Sequence, residues 1–62
     1  MMTMTCELHP GRGIEVANAL RKLGIECSTQ YHPSDTPCQR HIEVIAAPKS
    51  AVEALACQAI MQ

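Results

Sequence analysis

The residues of this chain best suited to chemistry are four cysteines and three histidines: Cys6, Cys27, Cys38, Cys57, His9, His32 and His41. Thiolate and imidazole are the donors that zinc and copper take, and a cysteine beside a histidine is the usual source of a thiol nucleophile. No Cys-x-x-Cys is present, but Cys38-Gln39-Arg40-His41 has a short spacing that a metal can use. Which of the seven side chains can converge depends on the elements that carry them.

Residues 2–8, MTMTCEL, alternate, with Met2, Met4, Cys6 and Leu8 on one side and Thr3, Thr5 and Glu7 on the other, the period of a half-buried strand. His9-Pro10-Gly11-Arg12-Gly13 breaks that period and reads as a turn. From Ile14 the spacing is helical, with Ile14, Ala17, Leu20 or Arg21, and Leu23 on one stripe, and Gly24 suits the left-handed position past a helix end. Residues 25–32 alternate again, Ile25, Cys27, Thr29 and Tyr31 being the inward set. Pro33-Ser34-Asp35-Thr36-Pro37 is a short loop of turn formers. A third strand follows over 39–46, with Ile42, Val44 and Ala46 inward and His41, Glu43 and Ile45 outward. Ser50-Ala51-Val52-Glu53 has the form of a capping box and opens a second helix. Its expected core stripe is Val52, Leu55, Ala56, Ala59 and Ile60, leaving Ala54, Cys57, Gln58, Met61 and Gln62 outside.

The order β-α-β-β-α, with a right-handed crossover and a hairpin, predicts a ferredoxin-like α+β sandwich. It has a three-stranded antiparallel sheet in the order 1-3-2, with both helices on one face. In that arrangement the end of the first strand, the end of the second and the start of the third share one edge, so Cys6, His9, His32, Cys38 and His41 gather there. Alternation puts His9, His32 and His41 on the helix-free face and turns Cys6 toward the core. His9, His32, Cys38 and His41 are therefore the candidate ligands for a zinc or copper ion, weighed against the plainer reading of polar residues at a sheet rim. Cys27 reads as a core residue and Cys57 as a helix-flank residue, and Glu7 faces Glu43 across strands one and three.

Composition narrows the function classes. At 62 residues with Tyr31 as the one aromatic, the core is thin, and a metal or partner chain is expected to supplement it. The net charge of −1 comes from both signs scattered along the chain, without the basic face or stacking aromatics of a nucleic-acid binder. MMTMTCEL carries no signal-peptide pattern, and no apolar run approaches a membrane span. A cytoplasmic location is expected, where thiols stay reduced. An order of 1-3-2 leaves the first strand as an open edge, and the second helix has no charge after Glu53. Both features predict a homodimer, formed by pairing of first-strand edges or stacking of open sheet faces.

Pro10, Gly11, Ile14, Ala17, Leu20, Leu23, Gly24 and Ile25 resemble the opening of an ACT domain, in which a Pro-Gly pair ends the first strand and a helix with spaced aliphatics exits through Gly-Ile. That resemblance implies a non-catalytic sensor holding a small anionic metabolite near Pro10, Gly11, Arg12 and Gly13 at a dimer interface. Met4-Thr5-Cys6-Glu7-Leu8-His9 is similar to the Met-Thr-Cys-x-x-Cys loop of heavy-metal-associated domains, although in that family a whole strand precedes the cysteine. No phosphate-binding loop or acid–base carboxylate pair is found, so the chain is not read as an enzyme. The expectation is a regulatory or interaction module, with a metal-binding protein or a small inhibitor of a larger protein as the alternatives.

Overall fold

The alternation of Met4, Thr5, Cys6, Glu7 and Leu8 becomes strand β1 (Met4–Leu8) in the computed structural model, which describes residues 2–62. The strand begins two residues later than its pattern, and Met2 is exposed rather than inward. Beyond it lie α1 (Pro10–Lys22), β2 (Glu26–His32), a short 3-10 turn (Pro37–Gln39), β3 (His41–Ala47) and α2 (Ala51–Met61). The sheet order is β1-β3-β2, both pairs antiparallel, giving the expected ferredoxin-like βαββα sandwich.

The stretch expected to be a turn is the first turn of α1. Proline fits the first helical position because its ring pre-sets φ and no intrahelical N–H is needed there. The Gly13 N–H then donates to the His9 carbonyl at 2.7 Å. The buried face is Gly13, Val16, Ala17 and Leu20, at i, i+3, i+4 and i+7. Ala17 and Leu20 were expected there, but Ile14 and Leu23 point outward, 53% and 57% exposed. Gly13 is the reason: a Cβ at that position would stand 2.9 Å from the Ile42 Cβ, so its absence lets the helix backbone settle on β3. With residue 13 seated on the sheet, its neighbour Ile14 is turned about 100° away. The helix ends in a Schellman pair, Ile25 N–H to Leu20 O and Gly24 N–H to Arg21 O, both 3.0 Å, with Gly24 at φ +77°.

β3 is central and alternates cleanly, with Ile42, Val44 and Ala46 buried toward the helices. Thr29 and Tyr31, expected inward, share that face but are exposed, β2 being an edge strand. Strand three starts at His41 rather than Gln39, since Pro37–Gln39 is taken up by the 3-10 turn.

The Ser50 arm of the capping box at α2 is present, the Glu53 N–H donating to Ser50 Oγ at 3.1 Å, while Glu53 Oε1 reaches one residue before the cap and accepts from the Lys49 N–H at 3.0 Å. The helix face differs from the expected one. Cys57 is fully buried, with Ala56, Ile60 and Met61 packed around it, whereas Val52 and Leu55 are exposed. The buried cluster of Val16, Leu20, Ile25, Ile42, Val44, Ala46 and Cys57 joins both helices to one side of the sheet. No helix among the described residues is long and apolar enough to cross a membrane.

Candidate functional site

The helix-free face of the sheet is polar apart from Ile45 and Ala47 of β3, carrying Thr5 and Glu7 from β1, His41 and Glu43 from β3, and Ser28, Gln30 and His32 from β2. Register sets like against like: Glu7 lies opposite Glu43, and His32 opposite His41. Such facing pairs are unfavourable unless diagonal neighbours compensate, and here they do. His32 Nε2 lies 3.2 Å from Glu43 Oε1, and His41 Nε2 lies 3.6 Å from Glu7 Oε1. The two imidazoles stack with centroids 4.6 Å apart and planes 10° from parallel.

Proton positions follow from the partners. His41 Nδ1 donates to the Gln39 carbonyl at 3.0 Å, because a carbonyl can only accept. His32 Nε2 donates to the Glu43 carboxylate. The resulting row, Glu7, His41, His32 and Glu43, ties all three strands together at the corner where the topology was expected to collect soft ligands. In it His32 is hydrogen-bonded to Glu43 and His41 to the Gln39 carbonyl, with Glu7 3.6 Å from His41 Nε2.

The metal candidates are only partly brought together. His32 and His41 meet, while His9 is the exposed N-cap residue of α1 and Cys38 is exposed in the 3-10 turn. That turn is tied to its own loop, with Arg40 Nε donating to Ser34 O at 2.9 Å and the Thr36 N–H donating to Ser34 Oγ at 3.2 Å. Among the described residues, no group of three or more His, Cys, Asp or Glu side chains is placed to hold a metal ion.

The four residues of the candidate ligand turn separate in the same way. Pro10 is half-buried, Gly11 is exposed with open space around it, and the Arg12 guanidinium donates to the Gln62 carbonyl at 3.3 Å. Gly13 is a packing residue, its space filled by Ile42. Sequence reasoning missed an open depression of about 680 Å³ at the opposite end of the sheet, between Met2, Glu26, Pro48 and Lys49. No spacing pattern signals it, since it arises where the β3–α2 connection passes over the sheet end.

The four cysteines are free of disulfide bonds and differ in environment. Burial pushes the Cys57 thiol up, with Glu53 adding to the effect, and burial also pushes Cys6 up against the opposing charge of Arg12. Alkylation needs the thiolate. Iodoacetamide at pH 8, read by mass spectrometry, is therefore expected to label exposed Cys38 first and Cys57 last. Equal rates at the two positions would contradict the packing of α2.

No family model, curated protein or solved structure matches this chain.

Proposed function

We propose that this protein is a non-enzymatic regulatory or interaction module that acts as a homodimer, pairing two copies through β1. The observation that carries this reading is the open sheet edge at β1: like β2 at the other border it pairs only with β3 among the described residues, but its inward Met4, Cys6 and Leu8 are half-buried apolar residues, whereas Thr29 and Tyr31 of β2 are exposed. A row of unpaired N–H and C=O groups is a template for another strand, and a core assembled largely from α1 and β3 gains from added burial. The resemblance to ACT domains extends the reading to a sensor for a small anionic metabolite, with Pro10, Gly11 and Arg12 as the contact residues. The row of Glu7, His41, His32 and Glu43 supports binding over catalysis, because His32 is hydrogen-bonded to Glu43 and His41 to the Gln39 carbonyl, and among the described residues no nucleophile shares those bonds.

Hydrogen exchange read residue by residue tests the pairing. The outward-facing β1 amides are expected to exchange slowly at concentrations where the dimer forms and quickly on dilution. Rapid exchange of those amides at every concentration would overturn edge pairing.

A further inference from the structure

We infer that the outer face of α2 forms the helical half of the homodimer interface, packed antiparallel against α2 of a second copy about the axis that pairs the two β1 edges. This inference rests on the dimer reading above. Each helical residue turns about 100°, which sets Val52, Leu55 and Ala59 on the side of α2 opposite buried Cys57. Val52 and Leu55 are the most exposed large hydrophobic residues described, at 78% and 68%. A helix that is apolar on two sides is normally covered on both, and this chain covers one.

Position ties that face to β1. α1 lies over β2 and β3 and α2 packs beside α1, while Met4, Cys6 and Leu8 of β1 are half-buried against the core cluster that Cys57 joins. Every fully buried core residue outside α2 belongs to α1, to β3 or to Ile25, so the core that Cys57 reaches lies toward the middle of the molecule. The opposite side of α2 therefore faces outward above the free edge of β1. A twofold axis normal to the sheet at that edge brings strand beside strand and helix beside helix, both antiparallel.

Charge, shape and area select a second copy as the occupant. In an isologous contact a surface meets itself, so charges near the axis meet their like. The α2 outer face has none, since no charged residue follows Glu53. With the axis midway between Leu55 and Ala59, Leu55 meets the partner's Ala59, large against small, and Val52 meets the partner's Gln62. At the strand, an axis through Cys6 sets Glu7 against the partner's Thr5 rather than against another glutamate. A stable interface takes about 800 Å² per partner, roughly a fifth of the 4200 Å² surface of this chain. The rim of β1, about 17 Å long, or the stripe along α2, about 16 Å long, is too short to supply that alone. Under one axis the two areas add.

Sedimentation equilibrium on the full chain tests the seam. The wild type is expected to be a dimer, and L55K or A59E to associate at least about 100-fold more weakly while keeping the wild-type circular dichroism. An equimolar mixture of L55K and A59E is expected to recover a heterodimer, because the antiparallel seam pairs the introduced lysine with the introduced glutamate. Should L55K fail to fold, Leu55→Ala replaces it, with association expected to weaken at least about tenfold. A monomeric wild type overturns the dimer reading and the seam together. A dimeric wild type whose association is unchanged in L55K, or in Leu55→Ala, overturns the seam alone, and a mixture that associates no better than its components overturns the antiparallel register.

Discussion

Leu20→Ala is expected to leave the chain unfolded at 25 °C or to lower its urea midpoint by about 2 M or more, while Leu23→Ala stays close to wild type. The two leucines sit three residues apart and were expected on one stripe, yet Leu20 is fully buried and Leu23 is 57% exposed. Removing a buried leucine costs about 2–5 kcal/mol, through lost transfer energy and the cavity left behind. A chain of this length has a total stability of about 3–9 kcal/mol, so the loss at Leu20 is a large part of the whole. The Leu20 side chain belongs to the buried cluster with Val16, Ile25 and Val44. Its carbonyl also accepts the Ile25 N–H that closes α1, so packing and cap meet at one residue. Urea titrations of the two variants, followed by circular dichroism, check this. Equal effects at the two positions would mean that α1 is seated on a different face.

Gly11→Ala and Gly13→Ala are expected to shift stability in opposite directions. Both positions are helical, and alanine is favoured over glycine in a helix by about 1 kcal/mol. At Gly11 a Cβ meets nothing within 4 Å, so the propensity gain is realised at about 0.5–1 kcal/mol. At Gly13 the new Cβ would stand 2.9 Å from Ile42 Cβ and 3.0 Å from its Cγ2. Neither atom can swing away, because β-branched side chains are stiff at χ1, so helix and sheet must separate. Overpacking of this kind costs about 1–3 kcal/mol, more than the propensity gain returns. The Tm of Gly13→Ala is expected to fall by about 5–10 °C and that of Gly11→Ala to rise by a few degrees. Scanning calorimetry of the pair reads both signs. Stabilisation by both substitutions would show that α1 does not approach β3 through Gly13.

These two cases show which parts of the fold were legible in the sequence. Strand alternation around Cys6 and Val44, the Ser50 arm of the capping box and the left-handed exit at Gly24 are local patterns with one physical meaning, and each is present as expected. Pairing of Glu7 with Glu43 and convergence of His32 with His41 followed from topology. The face of α1 was not legible, because Ile14 and Val16 offer two competing stripes and a glycine contributes no hydrophobic signal, although Gly13 decides between them. The face of α2 was less legible still. Between Ala51 and Met61 only Glu53 and Gln58 are polar, so periodicity hardly distinguishes one side from another. That ambiguity is itself informative, since a helix able to bury either side has one to spare for a partner. At the candidate site, convergence at one sheet edge was expected of His9 and Cys38 as well, but sharing an edge does not bring side chains within bonding distance. His9 caps a helix, and Cys38 is held in a turn closed by Ser34 and Arg40.

In the proposed dimer, two copies of this chain complete each other along β1 and α2. Light scattering on the untagged wild type, diluted from millimolar to micromolar, tests it most directly. Twice the chain mass at the upper concentrations, falling toward a single chain on dilution, is the predicted result. A single-chain mass throughout, with the fold intact, would contradict it.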